Sequence, residues 1–127
     1  MVKLKLSELS QVDLKKCALL QLNNEELIEE NLEEVVEEFD DCYSYNGEEY
    51  LIVTDNEADE YWEEELNNYL EECIYPELQE NLKNYFDDEA WKRDARFDGR
   101  AQSLNHYDGG EETETVLNEE FYLYRRN

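Results

Sequence analysis

One proline, four glycines and a single histidine leave this chain little of the chemistry that breaks a backbone or gathers a metal. Cysteine is equally sparse. The three thiols, at 17, 42 and 73, are odd in number and show no CxxC spacing. They exclude a disulfide framework and a thiolate zinc site, and they predict buried free thiols in a reducing cytoplasm. No apolar run approaches the ~20 residues of a membrane span. Asp13 interrupts the amino-terminal segment before the apolar core of an export signal can form. Positive charge is the scarcest commodity: 11 Lys plus Arg stand against 36 Asp plus Glu, a net charge of −25. Such a surface repels nucleic acid and anionic membrane, and it steers basic proteins toward itself.

High net charge is a signature of disorder, but disordered chains are poor in aromatics. Here 13% of the residues are aromatic and 40% hydrophobic, which is material for a core. The 127 residues therefore predict one folded domain over 1–127. The acid is not spread evenly. Residues 23–90 hold 26 acids and one base, Lys83, while the two ends balance each other. At one charge per ~1.7 Å of duplex axis, that middle carries the charge of roughly 40 Å of DNA.

The densest stretch is 24–41. Glu25-Glu26, Glu29-Glu30, Glu33-Glu34 and Glu37-Glu38 recur every four residues, and Asp40-Asp41 closes the run. Leu27, Ile28, Leu32, Val35, Val36 and Phe39 fall between them at helical spacing. The pattern predicts an amphipathic helix with one anionic face, on which two charges recur every ~6 Å of rise. Phosphates of a DNA strand are spaced about 3.4 Å apart. Glutamate repeats are also simply good helix formers that make a solvated face.

Before this stretch, Ser7 or Ser10 is expected to cap a helix carrying Leu9, Val12, Leu14, Cys17, Ala18, Leu19 and Leu22. After it, 42–54 changes period. Asn46-Gly47 between aromatic and β-branched runs predicts a hairpin. Thr54-Asp55-Asn56-Glu57 has the form of a capping box and opens a second acidic helix, to Ile74 or Tyr75. Asp59, Glu60, Glu63, Glu64, Glu65, Glu71 and Glu72 belong to its outer face, and Tyr61, Trp62, Leu66 and Tyr69 to its apolar stripe. Two such helices side by side would present two anionic ridges, as a duplex does. A short helical stretch is expected over 77–85, a helix begun by Asp87-Asp88-Glu89, a turn over 96–100 and a strand over 103–107. A last hairpin pairs 112–116 with 121–125. The expected fold is α+β: about four helices with a small antiparallel sheet, an acidic helical middle over 23–90 and a β-rich tail over 101–127.

Catalytic motifs are missing. Glu89, Asp94, Asp98 and His106 are the groups a carboxylate-based enzyme would use, but no HExxH, HxH or nucleophile elbow surrounds them. The alternating acids at 55–60 fail as a calcium loop, because Glu60 stands where glycine is needed and Leu66 where a bidentate glutamate is needed. The chain is read as a non-enzyme without metal or cofactor. Arg93, Arg96 and Arg100 are expected to pair with Asp87, Asp94 or Asp98.

Residues 78–94, LQENLKNYFDDEAWKRD, resemble the antirestriction motif of the ArdA proteins, roughly L-x-N-Y-F-D-x-E-A-aromatic-x-R-D. Tyr85, Phe86, Asp87, Glu89, Ala90, Arg93 and Asp94 match it residue by residue. The segment covers under a fifth of the chain. A second set, Asp98-Gly99-Arg100, Leu104, Tyr107-Asp108-Gly109, Glu112 and the 124–127 end, together with 50–59, resembles small phage proteins of unassigned function. ArdA proteins are acidic proteins of phages and mobile elements that mimic DNA and inhibit restriction-modification enzymes. The resemblance implies a phage-type inhibitor in the host cytoplasm. Its partner would be a basic DNA-binding protein, a restriction-modification enzyme or a CRISPR nuclease, met without nucleic acid or membrane. The expected contact surface comprises the acids of 25–41 named above with Asp59, Glu60, Glu63, Glu64, Glu71, Glu72, Asp87 and Asp88. A homodimer would lengthen the imitated duplex. An acidic adaptor or chaperone for some other basic protein is the competing expectation.

Overall fold

A computed structural model describes residues 4–78, 86–97 and 99–127. Its centre is a five-stranded antiparallel sheet of β1 (Val36–Glu37), β2 (Cys42–Tyr45), β3 (Glu48–Val53), β4 (Glu112–Val116) and β5 (Glu119–Arg125). The spatial order is β1-β2-β3-β5-β4. The strand from mid-chain, β3, thus meets the C-terminal strand, β5, in the middle of the sheet, where Leu51 lies opposite Tyr124 and Ile52 opposite Leu123. Among the described residues five α-helices surround it: α1 (Gln11–Leu22), α2 (Glu29–Glu34), α3 (Asp55–Tyr69), α4 (Asp88–Arg96) and α5 (Arg100–Leu104). The fold is α+β.

Both faces of the sheet are covered, which explains the unbroken apolar run Tyr50-Leu51-Ile52-Val53. Ile52, Tyr43, Tyr45, Phe121 and Leu123 point to one side and pack on Leu14, Cys17, Ala18, Leu19 and Leu20 of α1. Leu51, Val53 and Tyr124 point to the other, against Ala58 of α3 and Leu104 of α5. Each fully buried leucine contributes roughly 1.5–3 kcal/mol. Ser10 caps α1 by accepting from the Asp13 N–H at 3.2 Å. The capping box on α3 is complete, with the Thr54 hydroxyl accepting from Glu57 N–H and the Glu57 carboxylate from Thr54 N–H. Asn46-Gly47 turns β2 into β3 with both residues at positive φ. No described helix is long and apolar enough to cross a membrane.

Two expectations are overturned. The 24–41 stretch is not one helix. Asn24 adopts φ 58°, α2 is six residues long, and Val35 is already extended and leads into the edge strand β1. Glutamates at i and i+4 repel one another along a helix, and no base in the stretch offsets them. Val35-Val36, β-branched, gain more as strand, with Val35 buried in the α1-side core and Val36 paired to Ser44. The middle of the chain is accordingly helical only in part. The predicted strand over 103–107 is instead the end of α5 and a tight loop. Asn105, buried, draws the N–H groups of Tyr107, Asp108 and Gly109 onto its Oδ1 at 2.9, 2.9 and 3.2 Å, and donates to the Gly110 carbonyl at 2.7 Å. That local alternative displaces strand pairing. The second acidic helix runs to Ile74 as expected: α3 is regular to Tyr69, continues as a π turn over Leu70–Ile74, and gives way to a 3₁₀ turn over Tyr75–Glu77 holding Pro76. The helical stretch expected at 77–85 lies mostly outside the described residues.

Candidate protein-interaction surface

Helix α3 carries its acids in three strips, and the fold treats each strip differently. Asp55, Asp59 and Glu63, four apart, face α4 and α5. Arg100 donates to Asp55 at 2.7 Å and to Asp59 at 2.8 Å, and its Nε donates to the Tyr124 hydroxyl at 3.0 Å. Burial works against the charge on Arg100, but the bonds to Asp55 and Asp59 hold its guanidinium above its ordinary pKa. Lys92, nearly buried, reaches Glu63 at 2.7 Å, and Arg96 shares the same carboxylate. The bond from Lys92, helped by Arg96, holds the Glu63 carboxyl below its usual value despite some burial. Arg96 and Arg100 therefore pair within the chain, but with α3 rather than with Asp87 or Asp94, while Arg93 is exposed; Asp98 lies outside the described residues.

The second strip meets the sheet edge. Lys15 of α1, 2% exposed, bonds Asp41 at 3.1 Å and Glu57 at 3.0 Å. The Tyr61 hydroxyl also donates to Asp41, at 2.8 Å. Burial first, and that bond second, push the Tyr61 phenol above its ordinary pKa. These contacts pin the tight turn between β1 and β2. There Cys42 N–H donates to the Phe39 carbonyl at 3.2 Å, and Asp40 and Asp41 sit at φ 53° and 61°.

The third strip is open. Glu60 and Glu64 point away from the core and, with Asp40 across from them, wall a cleft of about 270 Å³. A second cleft of about 310 Å³ continues past Tyr61 and Glu64 to Phe39, Glu65, His106 and Arg126. Arg126 is tied to Glu65 at 3.1 Å and to the His106 ring at 2.6 Å.

No family model, curated protein or solved structure matches the chain. Site residues must therefore be weighed on geometry alone. Glu25, Glu26, Glu29, Glu30, Glu33, Glu34, Glu37 and Glu38 are all exposed, but on α2, its approach and β1 rather than on one helix face. Leu32 and Val35 tie α2 to the α1 side of the sheet, opposite α3. The two acidic segments therefore do not run side by side, and the expected pair of parallel ridges is absent among the described residues. Asp59 and Glu63 are engaged by cations. Glu38 accepts from Ser44 at 3.1 Å, and Asp87 caps α4 by accepting from Ala90 N–H at 3.0 Å. Asp88 accepts from the Tyr75 hydroxyl at 2.6 Å; that bond, with burial second, pushes the Tyr75 phenol up to about 12. Glu71 and Glu72 are exposed on the π turn. Of the predicted set, Asp40, Asp41, Glu60 and Glu64 are the ones brought together around one cleft.

Sequence reasoning placed Phe39 and Val36 on a buried helical stripe. They are 78% and 53% exposed. It also missed Lys15 as the buried cation beneath the turn. The signal that was present is the Asp40-Asp41 pair, since aspartate is one of the few residues that tolerates the left-handed region.

Proposed function

We propose that this protein is an acidic decoy, a DNA-mimic inhibitor that occupies the basic groove of a DNA-binding defence protein. The observation that carries it is how the charge is distributed. Six of the nine described cations, Lys15, Lys92, Arg96, Arg100, Arg125 and Arg126, pair with an acid inside the fold, while Lys5 and Arg93 are exposed. Glu60, Glu64 and the acids of α2 stay at the surface. A surface with so little counter-charge favours a cationic partner and releases the counterions held on both faces. The resemblance of 78–94 to the ArdA motif supports the same reading, although 79–85 lies outside the described residues. Chemistry on the partner is not required; binding excludes the DNA.

The acids are carried on both sides of the sheet rather than in two parallel rows. That observation favours a second reading, an acidic adaptor that holds a basic partner outside its DNA groove. Displacement separates the two. The tagged protein is bound to partner from host extract at low salt, and duplex DNA of about 12 base pairs is then added. Release by duplex, with affinity falling steeply as salt rises, is the expected result. Partner that stays bound under saturating duplex selects the adaptor.

A further inference from the structure

The tip of the first hairpin exposes apolar surface that nothing described in the chain covers. Phe39 is 78% exposed and Val36, on the edge strand of the same hairpin, 53%. Beside Phe39 the cleft is walled by Asp40, Tyr61 and Glu64, and by Glu65, which Arg126 of the same cleft already engages. A purely apolar partner would strip water from those carboxylates without replacing their hydrogen bonds. A lysine would satisfy the acids but is compact and strongly hydrated. A guanidinium does both jobs, because its flat, weakly hydrated face stacks on a ring while its edge donates to carboxylates.

The chain builds this unit twice from its own residues. Arg100 lies 4.7 Å over the Tyr122 ring while donating to Asp55 and Asp59. Arg125 lies 3.8 Å over the Tyr107 ring and pairs with Glu48 at 3.4 Å. Phe39 with Asp40 and Glu64 repeats the aromatic and acidic parts, and no arginine among the described residues stacks on Phe39.

We propose that the Phe39 tip is a docking surface for an arginine of the partner protein: the guanidinium stacks on the Phe39 ring, and Asp40 and Glu64 accept its N–H groups. This rests on the reading that the partner is basic, and it adds a preference for arginine over lysine that charge alone does not give.

The test uses the full chain with two synthetic probes of equal length and charge, a homo-arginine and a homo-lysine peptide, at one fixed ionic strength. The wild type is expected to bind the arginine peptide roughly three- to fivefold more tightly. Phe39→Ala should bring that ratio close to one, and Phe39→Trp should keep or widen it. Phe97→Ala, which removes another exposed aromatic (83% exposed), should leave the ratio alone. Phe39 is solvent-facing, so the alanine variant is expected to melt as the wild type does. An unchanged ratio in Phe39→Ala, or no arginine preference in the wild type, overturns the proposal. Failure of duplex DNA to displace the partner is a separate result, which removes the mimicry and leaves this ratio where it was.

Discussion

Lys15 is the one side chain on which α1, the first hairpin turn and α3 converge. Its side chain is 3% exposed, while those of its partners Asp41 and Glu57 remain about one-third exposed. Such a pair is not a strong source of stability in itself, because both charges lose water to form it. Breaking it is another matter. Without the cation, Asp41 and Glu57 face each other across the space it filled, with Glu60 and Glu64 beside them. Lys15→Met is expected to lower unfolding free energy by about 2 kcal/mol, less than a fully buried pair would lose, because water still reaches the acids. Adding Asp41→Asn should recover part of that loss, since the amide keeps an acceptor for Tyr61 and sheds the unpaired charge. Urea denaturation of the two single variants and the double variant measures this; strictly additive losses would mean that Lys15 acts through packing alone.

Among the elements, the turns separate what the sequence makes legible from what it hides. Asn46-Gly47 is readable because both residue types favour positive φ, and the hairpin appears where expected. The capping box of α3, the Ser10 cap and the last hairpin are readable for similar local reasons. Leu117-Asn118 is not: the β4–β5 turn places Leu117 at φ 50° and Asn118 at φ 63°, directly between the paired Val116 and Glu119. Leucine has no intrinsic reason to enter that region, and strand pairing over seven residues of β5 imposes it. The break of the 24–41 stretch is hidden in the same way, because helical spacing there is overruled by β1 pairing to β2 and by repulsion between glutamate turns. With that break goes the single anionic ridge expected over 24–41. What the sequence showed correctly was the outward face of α3, carried by Glu60 and Glu64; what it could not show was a hairpin tip folded up against it. Leu117 offers the direct check. Leu117→Asn relieves a left-handed leucine that costs roughly 1–2 kcal/mol, and the leucine is 47% exposed, so little packing is lost. The variant is expected to be more stable by about 0.5–1 kcal/mol, read as a higher urea midpoint at unchanged slope.

At the scale of the whole molecule, a charge of −25 is tolerated because the fold keeps its described acids out of the core, where the charges it buries are the cations Lys15 and Lys92 and the rest is neutral. The neutral groups it buries are unusually titratable. Burial pushes the Cys17 thiol up to about 11, with Asp13 adding to the shift. Burial also raises the phenols of Tyr43, Tyr61 and Tyr124 above their ordinary value of 10. Around Cys17, Tyr43 and Tyr61 nearby acids add to the shift, and at Tyr124 the bond to Glu111 adds to it while Arg100 opposes it. The sign of the linkage follows. A folded-state pKa above the unfolded one means that the native state holds its proton longer, so the stability is complete below the unfolded pKa. It is then lost as pH rises toward the folded one. For Cys17 the window opens near 9 and closes near 11; for the tyrosines it opens near 10 and runs higher. Within its window each group lowers stability by up to about 1.4 kcal/mol per pH unit. Unfolding free energy is therefore expected to be level from pH 7 to about 8.5 and to fall with growing slope above 9, as the buried phenols join the thiol. Cys17→Ala should flatten the first part of that fall, whatever it does to absolute stability, and leave the part above pH 10 in place. Urea melts across this range, followed with phenolate absorbance, decide it: phenols that ionise near 10 in the native protein, before any loss of structure, would mean that these rings are not held in the interior that the sheet and its two helical layers form around them.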